Sequence, residues 1–534
     1  VTTRRTFLHT GAAIAALTVV PRPLLAHLGA RPEPVPPIQD PRIKSLALRA
    51  IEAARSAGAS YADVRLTHTR TRGFSRPNVD AILDTEQMVV GARALVNGYW
   101  GFASGPVWSP DEMARLGREA FHQAKTNSLG QSRAVELAPT AAINDQHWVM
   151  PVDIDAFSVS PFEIVDHLQS LFNFVSRFPN FSNNRNGCEF QVQEKAFAST
   201  EGSYCTQRLY LSQGTFSVQL EENRRVLFSR DLDRLTPAGV GWELYKGQPM
   251  RDYIERLVEA IKEDQKLPVK PVDVGRYDTV FDAWSATQLL DETLGRATEL
   301  DRALGYEANA SGTSYLNEPL TMLGAYQAGA SSLNVAGNRS EHGGAATVQW
   351  DDEGVKPDTL SLVKNGVLTD FQTTRESCEW IKDYYVKQGA APRSHGCANA
   401  PTALEAPLSR SPNLTLASGT EALDFDALVA KVGKGVAVQE MGVDTDFQNL
   451  NGLGLGRMYE VKGGKRIARI MGAGLIFRGP ELWRGLLALG GSQSVRRFGW
   501  QASKGEPAQE TSHSVSAPAA AFKQLTFIDS TRKA

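Results

Sequence analysis

The sequence predicts an α+β protein, with mixed α/β N-terminal domains followed by a mainly antiparallel β, barrel-like C-terminal domain that carries one important helix. Three observations predict this. At 534 residues the chain is too long for one ordinary core. Helical and alternating patterns interleave up to about residue 265. Beyond the break at Lys266-Leu267-Pro268-Val269-Lys270-Pro271 the chain becomes rich in glycine and in strand patterns.

The elements follow in order. Arg42–Ser56 places Ile43, Leu46, Leu48, Ile51 and Ala54 at helical spacing, and Gly58 closes the helix. Ala62–Leu66 alternates as a strand, and Pro110–Lys125 reads as a second helix. These elements make a first domain over 38–141. A helix over Pro161–Phe178 opens a second domain over 142–265. There Phe216, Val218 and Leu220 alternate with Ser217, Gln219 and Glu221, the pattern of a half-buried antiparallel strand. Arg251–Lys262 returns to helix, with Ile254, Leu257, Val258 and Ile261 on one face. In the third domain, 272–530, Asn365-Gly366 and Gly463-Gly464 each separate two strand-like runs. Both are two-residue hairpin turns, because Asn and Gly accept positive φ cheaply.

The N-terminus is different material. Thr3-Arg4-Arg5-Thr6-Phe7-Leu8 precedes the short apolar run Gly11–Val20 and small residues to Ala30, the arrangement of a twin-arginine export signal over residues 1–30. Cleavage after Ala26 or Ala30 and a periplasmic or extracytoplasmic location are the expectations. Residues 31–37 read as a Pro-rich spacer. The apolar run is shorter than the roughly 20 residues that span a bilayer, and no later segment reaches that length, so a transmembrane protein is not expected. Lys+Arg 57 against Asp+Glu 59 leaves no basic excess, which argues against nucleic acid as a partner. Cys188, Cys205, Cys378 and Cys397 show no zinc spacing. The first two lie on arms of a hairpin turning near Glu201-Gly202, in a register that sets Cys205 opposite about Ala198 rather than Cys188. Oxidation after export and buried free thiols both remain open.

The important helix is Ala286–Ala303, capped by Ser285 or Thr287, with Leu289, Leu290, Leu294, Ala297 and Leu300 inward. It carries Asp291, Glu292, Arg296, Glu299, Asp301 and Arg302. By charge pattern alone this is a solvated face laced with ion pairs at helical spacing. No H-E-x-x-H and no G-x-S-x-G occurs, Gly452–Gly456 reads as strand glycine, and Asp444-Thr445-Asp446 lacks the rest of a calcium loop.

Five separated blocks give the segment another meaning. Gly58–Arg65 (GASYADVR), Glu194–Ser203 (EKAFASTEGS), Glu299–Ala308 (ELDRALGYEA), Asp351–Val355 (DDEGV) and Lys504–Pro507 (KGEP) together resemble the TldD/PmbA family, whose members act as peptidases on unfolded chains. In catalytic members His-Glu-x-x-x-His immediately precedes the third block. The two histidines and a distant cysteine hold zinc, and the glutamate is the general base. The resemblance therefore implies that Asp291 and Arg296 stand at the histidine positions and Ala502 at the cysteine position, with only Glu292 kept. A catalytic zinc needs about three protein ligands and an open position for water. An arginine is a permanent cation with no lone pair to donate, so no metal cofactor is expected here. Glu299, Asp301, His395 and His513 are further cleft candidates, and a replacement site built from His342, His395 or His513 with the motif acids stays open. Three functions follow. The first is a non-catalytic or substrate-binding subunit that pairs with a TldD/PmbA homologue, as hetero- or homodimer, around an extended or unfolded peptide. The second is an active metallopeptidase with a rebuilt metal site, and the third a stand-alone periplasmic peptide-binding module.

Overall fold

The structure, a computed structural model, describes residues 36–76, 83–130, 134–223, 225–246 and 249–531. The expected export signal and nearly all of the spacer lie outside these residues. The architecture is α+β, as the sequence predicts.

The first helix spans Pro41–Ala57. The Asp40 carboxylate accepts the Arg42 N–H, proline opens the first turn, and Gly58 stops the helix at φ +113°. It packs with helix Pro110–Asn127 on a sheet whose strands run, in order, Tyr99–Gly105, Leu83–Val96, Tyr61–Arg76, Asn186–Ser199, Tyr204–Glu222 and Asn144–Val149. Segments 38–141 and 142–265 thus share this sheet through the pairing of Tyr61–Arg76 with Asn186–Ser199. Each still brings its own apolar core, one around Ile43, Leu66 and Leu116, the other around Leu168, Phe190, Trp242 and Ile254. The hairpin at Glu201-Gly202 forms as expected. Its register sets Cys205 opposite Phe197, one residue from the expected Ala198, and Cys188 opposite Gly214. All four thiols are free and buried.

One expectation about this sheet fails. Ser217 and Gln219 are as buried as their apolar neighbours, because the chain folds back over the second face and gives them partners. Ser217 bonds to Asn184 and the Arg185 N–H, and Gln219 to Ser229.

Past Lys266 the chain builds two further large sheets and a two-stranded one, Ala398–Asn399 with Leu408–Ser409. Within the linker, Val269–Pro271 adds a short parallel strand beside Lys465–Met471. Strands Lys434–Thr445, Gly275–Phe281, Ala520–Asp529, Ala473–Arg478 and Asn451–Lys462 pair in that order, and the last pairs again with the first, closing a five-stranded barrel. The glycines of Gly452–Gly456 alternate inward on one of these strands. A Cβ at 452 would lie 2.1 Å from the Phe477 ring, and one at 454 would lie 2.4 Å from the Met441 sulfur. The other sheet runs Val367–Leu368, Thr359–Lys364, Val335–Asn338, Asn413–Leu416, Gln509–Ala517 and Arg496–Lys504. Leu289, Leu290 and Leu294 fill the core between barrel and sheet, beside Leu414, Met441, Val515 and Phe522. Among the described residues no helix is long and apolar enough to cross a membrane.

Candidate functional site

The expected single helix over Ala286–Ala303 is three pieces. An α-helix covers Ala283–Leu290, capped by the Asp282 carboxylate on the Ser285 N–H rather than by Ser285 or Thr287. A π-helical turn, Asp291–Gly295, follows and closes with the Arg296 N–H on the Asp291 carbonyl. One 3₁₀ turn ends at Thr298, Glu299 is extended, and Leu300–Ala303 forms a last short turn. The reason is competition for backbone groups. Asn449 donates to the Glu292 carbonyl, Tyr315 to that of Thr293 and Gln372 to that of Gly295, at 3.2, 2.8 and 2.6 Å. The Gln372 backbone then bonds to the Thr298 carbonyl and the Leu300 N–H, which stops the helix.

The wide turn has a geometric result. Positions five apart on a straight α-helix diverge by about 140°, whereas a turn closed by an i+5 bond returns them to one side. Side chains 291 and 296 share the site for this reason. Gly295 lets strand Asn413–Leu416 approach, since a Cβ there would lie 2.8 Å from both the Asp291 carboxylate and Leu414.

The motif acids are buried, not solvated, and Arg296 is half-buried. Asp291 and Glu292 are 5% and 8% exposed. The Arg296 guanidinium holds Glu292 Oε1 at 2.8 Å, and the Thr445 hydroxyl donates to Oε2 at 3.2 Å. Burial lifts the Glu292 carboxyl to about 7. Arg296 and Thr445 oppose that rise, while Asp291 and Asp444 add to it. His513 Nε2 contacts Asp291 Oδ1 at 2.8 Å. Hairpin Arg496–Lys504/Gln509–Ala517 delivers it: His513 pairs with Trp500, Ala502 with Thr511 and Lys504 with Gln509, so alternation puts all six on one face. The opposite face turns Gln501, Glu510 and Ser512 toward a polar cavity of about 540 Å³ against the N-terminal sheet.

The other expected residues are distributed as follows. Glu299 and Asp301 sit one turn on and meet the Lys504 ammonium at 3.1 and 2.8 Å, with Arg302 on Glu299 at 3.0 Å. Burial alone would raise the Glu299 carboxyl, but the charges of Lys504, Arg302 and Arg410 outweigh it and hold it low. His395 makes its side-chain bonds elsewhere, between Asp358 and Asp370 at 2.8 and 3.1 Å. Burial opposes its protonation, but those two carboxylates win and raise it to about 9. His342 contributes only a carbonyl, to Arg497. Of the three histidines, only His513 reaches the motif acids. Thr445, Asn449 and Arg410 were not anticipated. Arg410 donates to the Thr511 hydroxyl and the Ala502 carbonyl, over the expected cysteine position.

The donor set does not suit a zinc ion. The guanidinium at 296 offers no lone pair, Ala502 offers no donor, and Glu292 has both oxygens engaged. No group of three or more His, Cys, Asp or Glu side chains among the described residues is arranged to hold a metal.

The five sequence blocks converge in pairs. Asp63 and Arg65 of the first and Lys195 and Glu201 of the second meet the C-terminal domain. Arg93 bridges Asp63 and Glu353, Lys195 reaches Asp352 at 2.7 Å, and Arg375 holds Glu201. The third and fifth meet through Lys504 and through the Gly505 N–H on Glu307.

Residues 274–529 match the family model of the PmbA/TldA metallopeptidase C-terminal domain. A metalloprotease of Methanocaldococcus jannaschii is 22% identical over 340 residues, 62% of this chain and 70% of its own length. One from Methanothermobacter thermautotrophicus is 26% identical over 400 residues, 70% of this chain and 75% of its own. Among solved structures, a protein described as a modulator of DNA gyrase from Thermotoga maritima has the same fold, with a TM-score of 0.67 at 15% identity over 91% of this chain and all of that one. TldE from Thermococcus kodakarensis also gives 0.67, at 12% identity over 91% of this chain and 99% of its own. Fold and matched domain define a protein of metallopeptidase type. The chain belongs to the TldD/PmbA family.

Proposed function

We propose that this chain is a non-catalytic, substrate-binding member of a peptide-processing system of the TldD/PmbA type, working outside the cytoplasm beside a homologue that carries the metal. One observation carries this reading. The Arg296–Glu292 pair fills the inner side of the π-helical turn with a cation that cannot bind a metal, and it occupies the carboxylate that a general base needs free. An extended or unfolded peptide held by backbone hydrogen bonds to a strand edge accounts for a substrate class defined by shape rather than sequence.

The test is metal analysis of the folded protein together with cleavage of an unstructured peptide, alone and with a co-purified His-Glu-x-x-x-His homologue. The expected result is far less than one metal ion per chain, no cleavage alone, and cleavage with the homologue. One bound metal per chain with cleavage abolished by Glu292→Gln would instead establish the rebuilt site, the reading that the Asp291–His513 contact favours.

A further inference from the structure

A pocket of about 420 Å³ opens where segment 38–141 meets the C-terminal domain, between the start of strand Tyr99–Gly105 and the 3₁₀ turn Ser377–Ile381. Its walls are pinned by hydrogen bonds. The Val135 N–H donates to the Gly98 carbonyl at 2.7 Å, and a Cβ at 98 would lie 2.6 Å from that of Ala134. The Asn127 amide donates to the Trp100 carbonyl at 2.8 Å, and the Trp100 indole N–H donates to Glu376 Oε2 at 3.0 Å. Across the pocket the Tyr306 and Trp380 rings stack, 4.4 Å apart and 8° from parallel. The backbone is fixed on both sides of Glu376, since the Arg375 N–H donates to Glu353 and the Ser377 N–H to the Thr374 hydroxyl.

Four aromatic side chains line this pocket, Tyr99, Trp100, Tyr306 and Trp380, and among the described residues Glu376 is the one charged group in its wall. The Glu376 carboxylate makes no ion pair with any described residue, and its Oε1 has no hydrogen-bond partner among them. The cations nearby are committed elsewhere. Arg93 lies 4.5 Å from the centre of the Trp100 ring, but it is paired with Asp63 at 2.6 Å and Glu353 at 3.4 Å. Arg375 holds Glu201 at 2.8 Å, and Lys382, two residues past Trp380, holds Glu136 at 3.1 Å. Burial raises the Glu376 carboxyl above its usual range. The Trp100 bond and Arg93 oppose that rise, while Glu353 and Asp301 add to it. A carboxylate taken out of water without a cation of its own is costly, and an arriving cation relieves that cost.

We infer that this pocket binds the primary ammonium group of an organic cation, with the carbon stem of the ligand against the rings. Aromatic rings attract a cation and pack well on an alkyl chain. A carboxylate oxygen with no donor calls for an N–H, which a primary ammonium supplies and a quaternary one does not. A guanidinium fork would ask for both carboxylate oxygens, and Trp100 already occupies one. The pocket volume is that of a small-molecule site. None of the residues of the Asp291–Arg296 turn lines it, so its ligand is independent of whether a metal binds there.

Titration calorimetry of the full chain with N-acetyl-lysinamide at about 0.15 M salt tests this. One site per chain is expected, weakened roughly 10-fold or more in Glu376→Gln, which keeps an acceptor for the Trp100 N–H. Tyr306→Leu, at a side chain 55% exposed, should weaken it as well, with an unchanged melting temperature to show that the fold is intact. Cadaverine binding at least as tightly would identify a free amine as the source, and tighter binding of N-acetyl-lysinamide would identify a peptide lysine. No binding, equal binding by either folded variant, or equal affinity for N-acetyl-norleucinamide or for the trimethylated lysinamide would overturn the assignment.

Discussion

The ionic clusters at Asp291–Arg296 and at Glu299–Arg302 are neighbours in sequence and opposites in construction. In the second, Lys504 is 2% exposed and closes a network in which Glu299, Asp301 and Arg302 all have partners of opposite sign. In the first, Glu292 pairs with a guanidinium that is still 38% exposed at its side chain and sits at the edge of protonation, while Asp291 meets only His513 among the described residues. The second cluster joins two sequence blocks and belongs to the scaffold. The first sets a cation against a buried carboxylate at the turn where the proposed function places a replaced metal site.

The contrast can be broken outright by restoring donors. Asp291→His with Arg296→His and Ala502→Cys should raise bound zinc to about one per chain, read by metal analysis beside the parent; a folded triple variant that binds no more than the parent would show that these three positions do not make a zinc site. Lys504→Met, which takes the cation from buried Asp301 and leaves Glu299 with Arg302 alone, should destabilise by about 3–5 kcal/mol in denaturant titration. Glu292→Gln should behave in the opposite way. The folded carboxyl, raised from 4.5 to about 7, binds its proton more tightly than the unfolded one. Its contribution is therefore fully present below about pH 4.5 and is lost as pH rises through about 7. That loss is about 3 kcal/mol. The variant should match the parent at pH 4 and exceed it at pH 8. His513→Leu, which removes one partner of buried Asp291, should cost about 2 kcal/mol. A smaller loss would mean that Asp291 finds another partner.

Local chemistry made much of this protein legible in advance. Gly58 ends its helix, and Asn365-Gly366 and Gly463-Gly464 turn their hairpins at positive φ, because each depends on residues close in sequence. Barrel closure was legible only as a class. It rests on pairings such as Gly275–Phe281 with Lys434–Thr445, about 160 positions apart. At the site, the spacing of Asp291, Glu292 and Arg296 was readable. Thr445, Asn449 and Arg410 were not, since each arrives from a distant loop or strand. The failure of the single helix was foreshadowed by the motif itself: two functional positions five apart do not share a face of an α-helix. Ser217 and Gln219 misled because alternation reports one covered face, and here both are covered.

The π-helical turn also determines how this segment tolerates change. Substitution at 291 or 296 alters what the site holds while the i+5 closure keeps both positions aimed inward. Removing one residue between them would let the turn relax to α geometry and rotate everything up to Glu299 by about 100°, away from Lys504 and Gln372. Chemistry at this place is therefore editable one side chain at a time, whereas its length is not. A lineage could exchange a metal for an arginine, or the reverse, without ever rebuilding the fold around it.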